Sequence, residues 1–238
     1  MTHPERIVPD ETPPGILALH LKRYAFALPY AEGKEVLDAA CGVGYGTAYL
    51  AEAATHVIGV DVDADTLDYA RRRYPGRNIE FQQMDVTTLD FPDASFDVLV
   101  SFETLEHVSD AVAAVREAAR VLRDGGVYIV STPRVEETTS NPENPFHAIE
   151  YSPADLAELL GQSFADVELY GQRRLETRRH RLLRRFDVFG LRRHVSTSRV
   201  SALTGSPPTT NLTLGDIAIE RGVLNDASEI VAVCRNTQ

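Results

Sequence analysis

Between positions 35 and 133 the chain alternates short apolar runs with amphipathic ones, and nothing else in it constrains the fold as much. "EVLDAA" (35 to 40), "HVIGVDV" (56 to 62), "NIEFQQMD" (78 to 85), "FDVLVSF" (96 to 102) and "GVYIVSTP" (126 to 133) have the length and character of buried strands. "YGTAYLAEAA", "ADTLDYARRRY" and "DAVAAVREAARVLR" lie between them with helical spacing. Short strands apolar on both faces, separated by helices, build a parallel sheet covered on both sides. The expected class is therefore α/β, a doubly wound, Rossmann-like sheet. "FADVELYGQ" and "ASEIVAVCR" read as two late strands that finish it.

Upstream, "ILALHLKRYAFALPYA" reads as a helix ending near Pro29, after a proline-rich extended arm. "SPADLAELLG" has a Ser cap and a Pro at the first helical position. With 238 residues and 43% hydrophobic composition, the chain suits one α/β domain spanning 1–238. Within it, 1–32 is the arm and helix, and 33–135 the cofactor-binding core. Segments 136–172 and 226–238 complete the sheet and supply an acceptor loop. Segment 173–225 is an insert before the last strand. A formal charge of −11 disfavours nucleic-acid or anionic-membrane binding, since both need surplus Lys and Arg. No apolar run reaches the roughly 20 residues that span a bilayer, and the start lacks the apolar core of a signal peptide, so a cytoplasmic location is expected. The two cysteines, Cys41 and Cys234, are far apart inside core elements and read as reduced thiols.

"VLDAACGVGYG" puts Asp38 at a strand end, then Gly42, Gly44 and Gly46, then a helix. Such a loop lets a ligand approach the backbone at a helix N-terminus, although a glycine cluster alone fits a plain strand-to-helix turn equally well. The second strand ends in "GVDVD", where Asp61 can accept two ribose hydroxyl bonds and Val62 follows it. The spacing D-x-x-x-G-x-G-x-G differs from the dinucleotide fingerprint G-x-G-x-x-G. Asp38 would repel a pyrophosphate but hold an ammonium group. A cofactor with both an amino acid and a ribose is favoured, and Asp85 of "QMDV" is placed to meet an adenine amino group beside Val86.

Here the chain resembles the class I S-adenosylmethionine-dependent methyltransferases, over positions 33 to 135. Four ordered motifs carry the resemblance: "VLDAACGVGYG", "VIGVDVD", "QMDV", and "FDVLVSFETLEHV" followed by "VLRDGGVYIVSTP". It implies a seven-stranded sheet with the last strand antiparallel. It also implies S-adenosylmethionine as cofactor, with Asp38 and the backbone from Ala40 through Gly42 to Gly44 at the methionine part. Asp61 and Val62 would take the ribose, Asp85 and Val86 the adenine, and Ser101 and Phe102 would lie beside the sulfonium. His20, Arg23 and Tyr24 of the first helix could close over the cofactor, Arg23 reaching its carboxylate.

The stretch "FETLEHV" is the candidate reaction centre, with Glu103, Glu106 and His107 sharing one face if a helical turn follows the strand. E-x-x-E-H there, with a histidine beyond the fifth strand, is similar to metal-dependent O-methyltransferases of small-RNA ends and ubiquinone pathways. That similarity implies a divalent ion, Mg²⁺ or Mn²⁺, on Glu103, Glu106, His107 and His147. The other reading keeps Glu106, His107 and His147 as catalytic groups without an ion, His107 or His147 being the base. Glu150 is then a solvent-facing acid. "RIVPDETPPG" with "HLKRYAFA", and "STP" with "NPFHAIEYSPADL", resemble methyltransferases of glycan and glycosylated-metabolite pathways. The leading acceptor is a small molecule or oligosaccharide bearing a sugar hydroxyl. A catechol-like or quinone-precursor ring and an RNA ribose are the alternatives. The basic insert, with Arg178, Arg179 and Arg181, reads as a solvated or oligomer-contact segment, as in a homodimer, or as a lid over the acceptor.

Overall fold

Every run expected to be a strand forms one: β1 (Glu35–Ala39), β2 (His56–Asp61), β3 (Ile79–Gln83), β4 (Phe96–Phe102) and β5 (Leu122–Pro133). They are followed by β6 (Asp166–Arg174), β7 (Ile217–Glu220) and β8 (Glu229–Arg235). The helices are α1 (Pro14–Ala31), α2 (Tyr45–Leu50), α3 (Ala64–Arg73), α4 (Ala111–Val121) and α5 (Pro153–Gly161). This computed structural model describes residues 6–175 and 208–237.

The strands form one mixed sheet in the order β3-β2-β1-β4-β5-β8-β6-β7. The first five pair in parallel, and β8 runs antiparallel to both β5 and β6. Period-two alternation splits the core into two layers. Val36, Val98 and Val100 join Tyr24, Ala27 and Leu50 of α1 and α2 on one face. Leu37, Ala39 and Leu99 join Val115 and Ala118 of α4 and Leu156 and Leu160 of α5 on the other. Strand order reverses between β1 and β4, and the crevice outside their carboxyl ends is where an open α/β sheet binds its ligand.

Three expectations are corrected. The sheet has eight strands, not seven, because "IAIE" at Ile217–Glu220 pairs antiparallel with Gly171–Arg174. Four residues in a polar stretch are too few to show a period, so this edge strand was invisible in the insert. Helix α1 continues through Pro29 and ends at Ala31, since a proline this close to the end removes little of the helix's hydrogen bonding. Helix α2 stops at Leu50, short of the "AEAA" that was expected to extend it. Residues 176–207, with Arg178, Arg179 and Arg181, lie outside the described residues. Among the described residues no helix is long and apolar enough to cross a membrane. Both cysteines are buried and free, and burial pushes the Cys234 thiol up to about 12.

Candidate active site

A cleft of about 490 Å³ opens at the carboxyl ends of β1 to β4. Its floor is the loop after β1, where the backbone turns left-handed at Ala40 (φ 62°), Gly42 (φ 55°) and Gly44 (φ 84°). Ala40 and Gly42 line the cleft. A methyl group on Gly44 would stand 2.7 Å from the Phe81 ring, so Gly44 serves packing as well as conformation. At Gly46 a methyl would fall 1.9 Å from the Tyr24 ring. That glycine lets α1 lie close against the loop.

Asp61 ends β2 with one carboxylate oxygen accepting from the Gly42 amide at 2.9 Å and the other from the Asp63 amide at 3.0 Å. Those bonds aim it across the cleft wall while each oxygen keeps lone-pair capacity for a hydroxyl. Val62, 61% exposed, and Asp85 and Val86 continue the same wall. Asp85 is steadied by the Thr87 amide and hydroxyl at 2.8 and 2.7 Å. The predicted ribose and adenine residues are thus brought together.

Asp38 lies beneath the loop, fully buried, accepting from the Thr47 hydroxyl at 2.7 Å and the Tyr24 hydroxyl at 3.3 Å. Burial pushes its carboxyl up to about 7. Ser101 is also off the cleft. It is 3% exposed and meets Tyr128 on the opposite face of the sheet. Ser101 and Phe102 are consecutive on a strand, so only one of them can face the cofactor. Phe102 does, edge-on to Tyr24 at 4.9 Å, and Tyr24 packs edge-on to Tyr45 at 5.7 Å.

Arg23 and His20 of α1 reach the cleft wall. Arg23 is 1% exposed, and its guanidinium meets His20 Nδ1 at 2.9 Å. Burial, and then Arg23, hold the His20 imidazole down at about 3, so it is neutral. Sequence reasoning missed the arm's part in the site: Arg6 donates to Asp63 at 2.7 Å and comes within 4.0 Å of Asp61. No periodicity or spacing could have disclosed that contact.

The turn after β4 corrects the expected four-ligand set. Leu105–His107 is a single 3-10 turn, and Glu103 just before it is left-handed (φ 52°). That conformation swings the Glu103 side chain away from the turn to accept from the Ser131 hydroxyl at 2.7 Å, near Arg23 at 4.0 Å. Glu106, His107 and His147 do converge, each offering a ligand atom within 4.8 Å of the others. Two backbone bonds tie them together, from Ala148 (2.6 Å) and Ile149 (3.3 Å) to the Glu106 carbonyl. His107 Nδ1 bonds the Phe146 carbonyl at 2.9 Å, so that nitrogen carries the proton. The His107 and His147 rings meet edge-on at 4.9 Å. His147 has Nδ1 on Glu150 at 2.7 Å and Nε2 beside the Asn144 amide at 2.9 Å, so Glu150 is a partner and not the expected solvent-facing acid.

Glu106 is 1% exposed with Oε2 unpartnered, and burial, then Glu103, raise its carboxyl well above the usual range. An ion would satisfy that oxygen. Yet two imidazoles with one carboxylate suit Zn²⁺, Fe²⁺ or Mn²⁺ better than Mg²⁺, which prefers oxygen donors. The predicted Mg²⁺ set of four does not assemble, because the left-handed turn removes Glu103 from it.

Residues 37–130 match the family described as a methyltransferase domain. The chain is 42% identical over 139 residues to a probable S-adenosylmethionine-dependent methyltransferase of Mycolicibacterium smegmatis, covering 57% of this chain and 53% of that protein. It is 32% identical over 154 residues to phosphoethanolamine N-methyltransferase 1 of Arabidopsis thaliana, covering 63% and 30% respectively. The chain therefore spans about half the length, or less, of these curated relatives. Among solved structures, the YcgJ protein of Bacillus subtilis aligns with a TM-score of 0.62 at 19% identity, covering 92% of this chain and all of that one. That likeness concerns the fold.

Proposed function

We propose that this chain is a class I S-adenosylmethionine-dependent methyltransferase that passes the methyl group to a hydroxyl of a small polar acceptor, a sugar or glycoside being the leading class. One observation carries the choice of a hydroxyl. The cleft wall just beyond Phe102 presents Glu103 and His107, two groups able to take a proton, where the acceptor would stand. An alcohol needs such a group, because at neutral pH it is a poor nucleophile.

Methyl transfer from a sulfonium is an in-line displacement, so the protein's main tasks are to position the two partners and handle one proton. Asp61 would hold the ribose hydroxyls, and Asp85 with Val86 the adenine. The buried Arg23 guanidinium, on the cleft wall, would meet the methionine carboxylate. Phe102, Tyr24 and Tyr45 would form an aromatic wall against the sulfonium, an attractive setting for a cation. Acceptor oxygen, methyl carbon and sulfur would then align over the end of β4.

A second reading has a specific observation in its favour, the convergence of Glu106, His107 and His147. Those three would hold a divalent ion, with Asn144 releasing His147. When bound, the ion would lower the pKa of a vicinal hydroxyl and chelate its neighbour. A catechol-like ring would suit that reading as well as a sugar. The plant relative acts on nitrogen, as its name states, so an amine acceptor belongs in any test. RNA is disfavoured by the charge of −11.

The deciding assay follows methyl-labelled S-adenosylmethionine with methyl glycosides, catechol, phosphoethanolamine and short RNA, with and without exhaustive chelation. Labelled methyl glycoside, formed without loss under chelation, is the expected result. Transfer to phosphoethanolamine alone would sink the hydroxyl reading, and activity abolished by chelation would favour the metal. Asp61→Ala should weaken S-adenosylhomocysteine binding about tenfold or more, as expected for losing two hydrogen bonds to a charged group.

A further inference from the structure

Glu103 is a long, charged side chain held in a conformation that favours glycine, just past the end of β4 on the cleft wall. Backbone strain of this kind persists only where surrounding structure over-determines it, and it concentrates at functional sites. Here the surrounding structure is specific. The Glu103 amide donates to the Ser131 carbonyl at 3.0 Å and to the Ser131 hydroxyl at 3.2 Å. That hydroxyl in turn donates to Glu103 Oε1 at 2.7 Å. Arg23 stands 4.0 Å from the same oxygen and is itself fixed by His20. Ser131 and Arg23 are buried, while the Glu103 side chain stays 22% exposed on the cleft wall. Among the described residues, Oε2 makes no hydrogen bond. One carboxylate oxygen is anchored, and the residue lines the cleft.

We propose that Glu103 is the catalytic residue on the acceptor side, with Oε2 accepting the acceptor hydroxyl's hydrogen bond and then its proton, and with Ser131 and Arg23 as positioning residues. This rests on the hydroxyl-transfer reading and names the group that performs its proton step. The balance is simple. The acceptor oxygen forms a bond to the methyl carbon as the carbon–sulfur bond breaks. The bonding pair goes to sulfur, leaving neutral S-adenosylhomocysteine, and the hydroxyl proton goes to the Glu103 carboxylate. A sulfonium beside an anchored carboxylate is also a favourable ground-state pairing that needs no ion.

The competing role for Glu103 is as counter-charge to the buried Arg23. Glu103→Gln keeps the bond from Ser131 but removes both the charge and the proton acceptor, so the readouts separate the two roles: losing only the counter-charge would disturb S-adenosylhomocysteine affinity through Arg23, whereas losing the base lowers kcat alone. The experiment measures kcat and KM with S-adenosylmethionine and the methyl glycoside panel for the parent, Glu103→Gln, Ser131→Ala, Ser131→Thr and His107→Ala. S-adenosylhomocysteine affinity is measured alongside by calorimetry. The expected result is a loss of kcat of about a hundredfold or more in Glu103→Gln, with cofactor affinity kept within about threefold. Ser131→Ala should lower kcat about tenfold with little change in KM, and Ser131→Thr should restore most of it. Glu103→Gln turning over within about fivefold of the parent would overturn the assignment. So would a far larger loss in His107→Ala than in Glu103→Gln. A parent that methylates no hydroxyl in the panel would bring down the hydroxyl reading and this assignment with it.

Discussion

The "GVGYG" loop shows how differently identical residues can act. Gly42 and Gly44 are left-handed, whereas Gly46 sits inside α2 and is required by contact. Its missing side chain admits the Tyr24 ring, and Tyr24 then reaches Asp38 and Phe102. Gly46→Ala should push that ring off the loop, costing about 1 to 3 kcal/mol as overpacking does and weakening S-adenosylhomocysteine binding. Urea unfolding and calorimetry check both. An unchanged midpoint would mean the ring moves freely and the contact is incidental. The motif was legible in the sequence, but the reason for its third glycine was not, since Tyr24 lies in a different element far from Gly46 along the chain. Ser101 teaches the same lesson in reverse. Its place in the motif suggested a cofactor contact, and strand alternation turns it to Tyr128.

Between residue and molecule, α5 shows an element whose ends were readable and whose job was not. Ser152 caps it, accepting from the Asp155 amide at 3.2 Å, with Pro153 at the first position, as the sequence predicts. The capping residue also closes the loop that carries His147. The Ser152 amide donates to the Thr138 hydroxyl at 2.8 Å, and Thr138 bonds Asp155. Ser152→Ala should cost about 1 kcal/mol of stability, the usual value of such a cap, read as a lower urea midpoint at an unchanged m-value. No change would show that the Thr138 bonds carry the helix start alone. The turn after β4 is the opposite case. A helical face joining Glu103, Glu106 and His107 was a reasonable expectation from i, i+3 and i+4 spacing. The 3-10 turn begins only at Leu105, and a left-handed Glu103 breaks the face.

Over the whole molecule, buried titratable groups shape the pH dependence of stability, Asp38 and His20 among them. Burial raises Asp38 from 3.8 to about 7, so across that window the folded state binds a proton that the unfolded chain has released. Its contribution is fully present below the lower value and is lost as pH rises to the upper one. His20 is lowered from 6.5 to about 3, so its contribution is present above the upper value and is lost as pH falls toward the lower one. The two oppose each other through mildly acidic pH. Asp38→Asn should therefore gain on the parent as pH rises from about 5 to about 7, and the gap should stay constant above that. Urea unfolding of both proteins without cofactor tests this, and a gap independent of pH would show that Asp38 stays ionised when buried. What the sequence alone determined is the parallel core of the sheet, its seven main strands and the carboxylates at the strand ends. Those features rest on local periodicity and on turns a few residues long. Only the tertiary structure decided which side chains meet at the cleft. Arg23, Ser131 and Glu103 come from α1, β5 and the end of β4, and their meeting depends on strand order, the hand of each turn and the closeness of packing.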